Sequence, residues 1–167
     1  YPRGIIDWAT NSGKMILLAG IIKSLKHKKI LVLTHRKALF DQLKELFIAE
    51  NIDLGVVSIK TELKEVNLAM ERTFINGLSK LEFYKLASTL DCILVDECHI
   101  TKAKSLYKFL SSCQANMVYF FSGTSTDFDN NIDKMKVIGL SGKVLDKLTV
   151  KDLVKLGRSR QALVEFI

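Results

Sequence analysis

Apolar residues along this chain come in short unbroken runs separated by polar stretches. Gly4-Ile5-Ile6-Asp7-Trp8, Ile30-Leu31-Val32-Leu33, Cys92-Ile93-Leu94-Val95 and Met117-Val118-Tyr119-Phe120-Phe121 each predict a strand buried on both faces. Residues 54–59, with Val56 and Val57, and residues 66–70 predict two more. Between them the period changes. Leu39, Phe40, Leu43, Leu46 and Phe47 recur at helical spacing within 36–50. Residues 14–25, 73–90 (interrupted near Gly77) and 104–113 also read as helices, and an Asp- and Asn-rich loop is expected over 126–133. Continuous apolar strands alternating with helices imply a doubly wound α/β domain, a mostly parallel sheet with helices on both faces. From Ser141 the pattern changes. Residues 144–157 suggest an irregular piece and a helix, and 159–167 an alternating strand with no core of its own. Residues 1–143 are therefore expected to form one domain, and 144–167 a linker with the start of a second.

Composition narrows the class. The 167 residues suit one domain. Apolar residues at 48% and charged residues at 26% can build a buried core, which excludes disordered and collagen-like chains. No stretch has the length of a membrane span and no signal peptide is visible, so a membrane partner is not expected. A targeting segment upstream of Tyr1-Pro2 stays open. The formal net charge of +7 attracts polyanions, nucleic acid among them. Cys92, Cys98 and Cys113 are odd in number and lack CxxC spacing. They read as free thiols in a reducing cytoplasm, with a zinc site involving His99 as the alternative.

Two short motifs carry chemistry. Trp8-Ala9-Thr10-Asn11-Ser12-Gly13-Lys14-Met15 lies between a predicted strand and a predicted helix. In that setting backbone N–H groups and the helix N-terminus face phosphates, and a lysine reaches the β and γ oxygens. Gly13 and Lys14 are correctly placed, but Trp8 stands where such loops begin with glycine, and Met15 where they end in Ser or Thr. The second motif is Asp96-Glu97, directly after an apolar strand. A carboxylate there can hold Mg²⁺, and its neighbour can act as general base on an attacking water. Each motif alone has a structural explanation, a tight turn or an acidic cap. Both together favour ATP and Mg²⁺ as ligands.

Asp96-Glu97-Cys98-His99 also reads as a DExH box, and here the chain resembles the superfamily 2 helicases. Thr34-His35-Arg36-Lys37-Ala38-Leu39 followed by Gln42-Leu43 is similar to that family's motif Ia, and Ser122-Gly123-Thr124 to its motif III, usually Ser-Ala-Thr. Glu71-Arg72-Thr73 stands where relatives carry a Thr-x-Gln-Thr segment. Within the family, Arg3-Gly4-Ile5-Ile6-Asp7-Trp8, the acidic box, Ser122-Gly123-Thr124 and Val137-Ile138-Gly139-Leu140 resemble the phage UvsW-type branch-migrating DNA helicases.

That resemblance implies a RecA-like P-loop NTPase domain, the first of two motor domains. It implies Thr10, Asn11, Ser12, Gly13, Lys14 and Met15 as the nucleotide loop, Asp96 as the Mg²⁺ ligand and Glu97 as the base. It implies Thr34, His35, Arg36, Arg72 and Thr73 along a nucleic-acid track, with His99, Ser122 and Thr124 coupling nucleotide state to grip. Thr34 and Thr73 are equally able to cap helices, and His35 and Arg36 to form a solvated turn. The implied activity is ATP hydrolysis driving unwinding or branch migration of duplex or branched DNA, in the cytoplasm or, for a phage protein, that of the host. A non-hydrolysing nucleic-acid-binding module and the motor of a restriction or remodelling translocase are the alternatives. The family's second RecA-like domain, which closes the ATP cleft, is the expected partner.

Overall fold

In the computed structural model the described residues are 2–57, 63–79, 81–96, 104–123, 135 and 138–158. Seven strands form one sheet: β1 (Arg3–Trp8), β2 (Ile30–Thr34), β3 (Leu54–Val56), β4 (Val66–Met70), β5 (Cys92–Asp96), β6 (Met117–Ser122) and β7 (Val144–Leu148). Helices accompany them, among them α1 (Lys14–Ser24), α2 (Lys37–Ala49), α3 (Glu71–Gly77), α4 (Leu81–Ser88), α5 (Lys104–Ser112) and, near the end of the described residues, α6 (Val150–Lys155). The strand order is β3-β4-β2-β5-β6-β1-β7, and every pairing is parallel. The expected α/β architecture is thus present, with an all-parallel sheet where a mostly parallel one was anticipated.

Strand periodicity divides the core in two. Ile6, Ile30, Val32, Cys92 and Leu94 face α1 and α2, where Leu18, Ile22, Phe40, Leu43 and Phe47 cover them. Ile5, Leu31, Leu33, Ile93 and Val95 face the other way, toward Phe74, Leu86, Leu106, Phe109 and Leu110 of α3, α4 and α5. Phe74 and Phe109 meet edge to face at 5.2 Å. Burial on both faces explains why β2 and β5 read as unbroken apolar runs.

Three boundaries differ from the sequence reading. The helix expected over 73–90 is interrupted after Gly77, as its sequence suggested, but its first part begins at Glu71 and its second ends at Ser88. The third strand spans Leu54–Val56 and has ended by Val57, while residues 58 and 59 of its expected range lie outside the described residues. The piece after 143, expected to be irregular, contains the edge strand β7, which pairs with β1. Its sequence, Val-Leu-Asp-Lys-Leu, is mostly exposed and so lacks the signature of a two-sided strand. α6 follows at once, started by a capping box between Thr149 and Asp152 and anchored by buried Leu153. The sheet therefore continues past residue 143. The expected loop over 126–133 and the expected strand over 159–167 lie outside the described residues.

Burial raises the Cys92 thiol to about 12, so it stays protonated at neutral pH. Cys113, half-buried at the end of α5, is also free, while Cys98 and His99 lie outside the described residues. Among the described residues no helix is long and apolar enough to cross a membrane.

The β1–β7 junction depends on Gly4. The register slips by one residue between Ile5 and Ile6, and Leu145 is the extra residue on β7. A Cβ on Gly4 would lie 2.2 Å from Leu145 Cγ and Cδ1. Gly4→Ala is expected to destabilise the protein by about 1–3 kcal/mol, the usual cost of overpacking. Adding Leu145→Ala should recover part of that loss in a denaturant titration. No recovery would place the strain elsewhere.

Two carboxylates are held below their ordinary range in the folded chain. The Lys29 backbone N–H holds the Asp91 carboxyl below its usual range, with Lys28 nearby adding to the effect. The Thr149 hydroxyl, then the Thr149 N–H, does the same for Asp152. A carboxyl depressed in the folded state contributes stability above its unfolded pKa of about 4, and loses it as pH falls through the lower folded value. The melting temperature should therefore drop as pH falls below about 4. In Asp91→Asn/Asp152→Asn that drop should be shallower, and an identical pH slope would remove both groups from the account.

Candidate functional site

The carboxyl ends of β1, β5, β6 and β2 bring the chemistry-bearing residues together, as expected of an open parallel sheet. β1 ends at Trp8 and the chain turns sharply into α1. Asn11 (φ 62°) and Gly13 (φ 92°) both take left-handed backbone conformations. Gly13 is also the N-cap of α1, and no side chain caps the helix. The first-turn amides of α1 are thus left to whatever ligand lies above them. Ser12 Oγ is buried and has no hydrogen-bond partner among the described residues. An orphaned hydroxyl in a loop of this shape suits an anionic oxygen.

Lys14 opens α1, and its ammonium donates to the Trp8 carbonyl at 2.8 Å. Gly123, just past β6, lies across from it. A Cβ there would stand 3.2 Å from Lys14 Nζ, 3.3 Å from Trp8 O and 3.4 Å from the Thr10 nitrogen. Trp8 is itself held, its indole N–H donating to Asp146 Oδ2 at 2.7 Å. Met15 packs half-buried against the core beneath α1 and α2, while its neighbour Ile16 is exposed. Met15 offers a hard cation only a thioether.

Asp96 is the last residue of β5 and is 8% exposed. Thr34, at the end of the adjacent β2, points its hydroxyl at Asp96 Oδ2 from 3.5 Å. Ser122, fully buried, ends β6. A cleft of about 560 Å³ runs between the loop and α2, lined by Thr10, Asn11, Gly13, Lys14, Met15 and Asp96, and by Arg36, Leu39 and Gln42 from the far side. That volume suits a nucleotide. A larger cleft of about 650 Å³ lies at the opposite edge of the sheet beside Lys29 and Lys64, far from this constellation. A nucleotide fits the loop residues. A divalent cation would be held by Asp96 and by the nucleotide's own oxygens, because Met15 supplies none.

The residues expected on a nucleic-acid track are divided by the fold. His35, Arg72 and Thr73 are exposed and close together, since β2 and β4 pair up to Thr34 and Met70. His35 Nδ1 lies 3.2 Å from Oε2 of buried Glu71. Thr34 is fully buried beside Asp96 and presents no surface to a macromolecule. Neither threonine caps a helix, because the N-caps of α2 and α3 are Arg36 and Met70. Glu97, His99 and Thr124 lie outside the described residues.

Sequence reasoning missed Asp7. It is buried in β1, opposite Ser122 in the register, with Lys147 Nζ 3.5 Å from its Oδ2. The signal was available: a carboxylate inside an otherwise apolar strand, one residue before the loop. Glu71 was also missed as the partner of His35.

The family model described as "Type III restriction enzyme, res subunit" matches residues 2–127. No curated protein matches the sequence. Among solved structures, the Pyrococcus furiosus Hef helicase domain is similar at a TM-score of 0.69 and 17% identity, over 92% of this chain and 37% of that one. The UvsW helicase from Bacteriophage T4 gives 0.61 and 20%, over 87% and 54%. A nuclease-deletion mutant of the Type ISP restriction-modification enzyme LlaGI, in complex with a DNA substrate mimic, gives 0.71 and 13%, over 95% and 19%. At such identities the likeness shows a shared RecA-like fold. The chain spans 37%, 54% and 19% of these three proteins.

The contact between Gly123 and the loop is testable. In Gly123→Ala the Lys14 ammonium can swing aside, but Trp8 O and the Thr10 nitrogen belong to the backbone and yield less. The variant should fold and lose about 1 kcal/mol, at the low end of overpacking costs. A melting temperature equal to the parent's would show slack in the loop.

Proposed function

The chain belongs to the family of the type III restriction enzyme res subunit, a family of helicase-like ATP-dependent motor domains, and from that premise we propose that it is the ATP-hydrolysing first domain of a two-domain DNA motor. The observation that carries this reading is the convergence of Lys14, the uncapped start of α1 and Asp96 on one nucleotide-sized cleft.

In this reading the loop amides and Lys14 bind the triphosphate, and Lys14 gives up the Trp8 carbonyl to do so. Asp96, oriented by the Thr34 hydroxyl, holds Mg²⁺, which neutralises charge on the phosphates when bound. Glu97, the next residue, takes a proton from the attacking water. His35, Arg72 and Thr73 present a polar and cationic surface to the phosphate backbone of nucleic acid. Ser122, at the end of β6, relays the nucleotide state to that surface together with Thr124 and His99. A second RecA-like domain closes over the cleft. The neighbour LlaGI, solved with a DNA substrate mimic, supports DNA as the track, and branch migration is the finer activity that the sequence resemblance to UvsW-type helicases favours. One observation favours a second reading, a module that binds nucleotide without hydrolysing it: Met15 is turned against the core and leaves the metal without a protein hydroxyl.

The two readings part in the full-length protein. ATP turnover would be measured with single-stranded, duplex, forked and four-way DNA, alongside nucleotide binding. Lys14→Ala should weaken binding. Glu97→Gln should keep binding and slow turnover by around 10²–10⁴-fold, the usual loss on removing a general base. Normal turnover in Glu97→Gln would refute its role. Tight binding without turnover in the unsubstituted protein would favour the second reading.

A further inference from the structure

We propose that Arg36 belongs to the nucleotide cleft and not to the nucleic-acid surface, where its guanidinium contacts the terminal phosphate of a bound triphosphate. The inference rests on reading that cleft as the ATP site.

Three successive residues leave β2 in different directions. Even positions of the strand, Ile30 and Val32, face the core beneath α1 and α2, and Thr34 continues toward Asp96. His35 turns to the opposite side, onto Glu71 at the start of α3. Arg36, with extended backbone (φ −97°, ψ 129°), returns to the α2 side and lines the cleft with Lys14 and Asp96. Arg36 thus lines the cleft, while His35 lies on the face where Glu71, Arg72 and Thr73 begin α3.

The side chain is also available for a ligand. Arg36 is the N-cap of α2 but makes no side-chain cap hydrogen bond. Among the described residues no carboxylate forms an ion pair with it; the adjacent Lys37 pairs with Asp41 instead. Charge gives the reason for a second cation. Among the described residues, Lys14 is the only other cationic side chain lining the cleft, and Asp96 offsets it. Even with a magnesium ion at Asp96, a triphosphate bound there would bring more negative charge than that ion and one ammonium balance. A guanidinium fork can meet two phosphate oxygens at once, which suits the terminal group.

Competition binding of ATP and of ADP separates the possibilities, measured against a fluorescent nucleotide for the full-length protein, Arg36→Ala, Arg36→Lys and Lys14→Ala. DNA binding without nucleotide is titrated across salt in parallel. Arg36→Ala should weaken ATP by about tenfold, as expected for one charge-assisted hydrogen-bonded contact, and leave ADP nearly unchanged. Arg36→Lys should recover part of the loss, since it restores charge without the fork. DNA affinity and its salt slope should not move. Equal effects on ATP and ADP, or none, would overturn the assignment. So would a salt slope reduced by about one contact, which would return Arg36 to the nucleic-acid track. If Lys14→Ala also leaves nucleotide binding intact, the reading of the cleft itself falls, and the role of Arg36 with it. If Lys14→Ala abolishes binding while Arg36→Ala is silent, only the role of Arg36 falls.

Discussion

Burial of the central strands on both faces is the constraint from which the rest follows. β2 and β5 have no exposed position, and their backbone groups pair with parallel neighbours on each side. Such strands cannot carry a solvated charge along their length, because an unpaired buried charge is too costly. Polar chemistry is pushed to where the strands end. Parallel pairing then aligns those ends, since every crossover helix returns the chain to the same edge of the sheet. Trp8, Thr34, Asp96 and Ser122 terminate four strands separated by long stretches of sequence, yet they stand along one rim.

The rim carries more buried polarity than the core tolerates elsewhere. Asp7, Thr34, Glu71, Asp96 and Ser122 are all buried. Each needs partners, and the partners come from neighbouring elements: Lys147 of β7 for Asp7, Thr34 of β2 for Asp96, His35 for Glu71. Asp7 and Trp8 adjoin the nucleotide loop, and both are tied to β7, through Lys147 and Asp146.

The central strands were legible because two-sided burial writes an unbroken apolar run, and the loop and acidic box because each follows such a run directly. β7 was not. An edge strand with only one neighbour exposes most of its side chains, so Val144–Leu148 resembles a linker. The side chains at the end of β2 were hidden for a different reason. In sequence Thr34, His35 and Arg36 form one polar segment, and only the pleat with the bend at His35 sends them apart. Thr34 could not be recognised as buried because its partner, Asp96, lies 62 residues away. Asp7 was visible as an anomaly, a carboxylate in a buried run. Its pairing with β7 required the strand that the pattern had missed.

Two departures from the helicase pattern look independent along the chain and meet in space. Trp8 stands where a phosphate loop usually has glycine, and Gly123 where motif III usually has alanine. Lys14 Nζ lies between them, bonded to the Trp8 carbonyl, with room for no more than a tight Cβ at Gly123. The indole bond to Asp146 fixes Trp8, so its carbonyl presents a defined acceptor. An incoming phosphate must compete with that acceptor for the ammonium. A hydrogen bond to a charged group is worth roughly 1.5–3 kcal/mol, and less where the lysine is half-exposed to water. A ligand with a single weak contact gains little from the exchange. In the proposed reading, a triphosphate engaging the loop amides, the orphaned Ser12 hydroxyl and Lys14 together would gain enough to complete it. The Trp8 carbonyl gives the lysine its resting place, Gly123 leaves room for it, and its release would then favour a ligand that fills the whole loop.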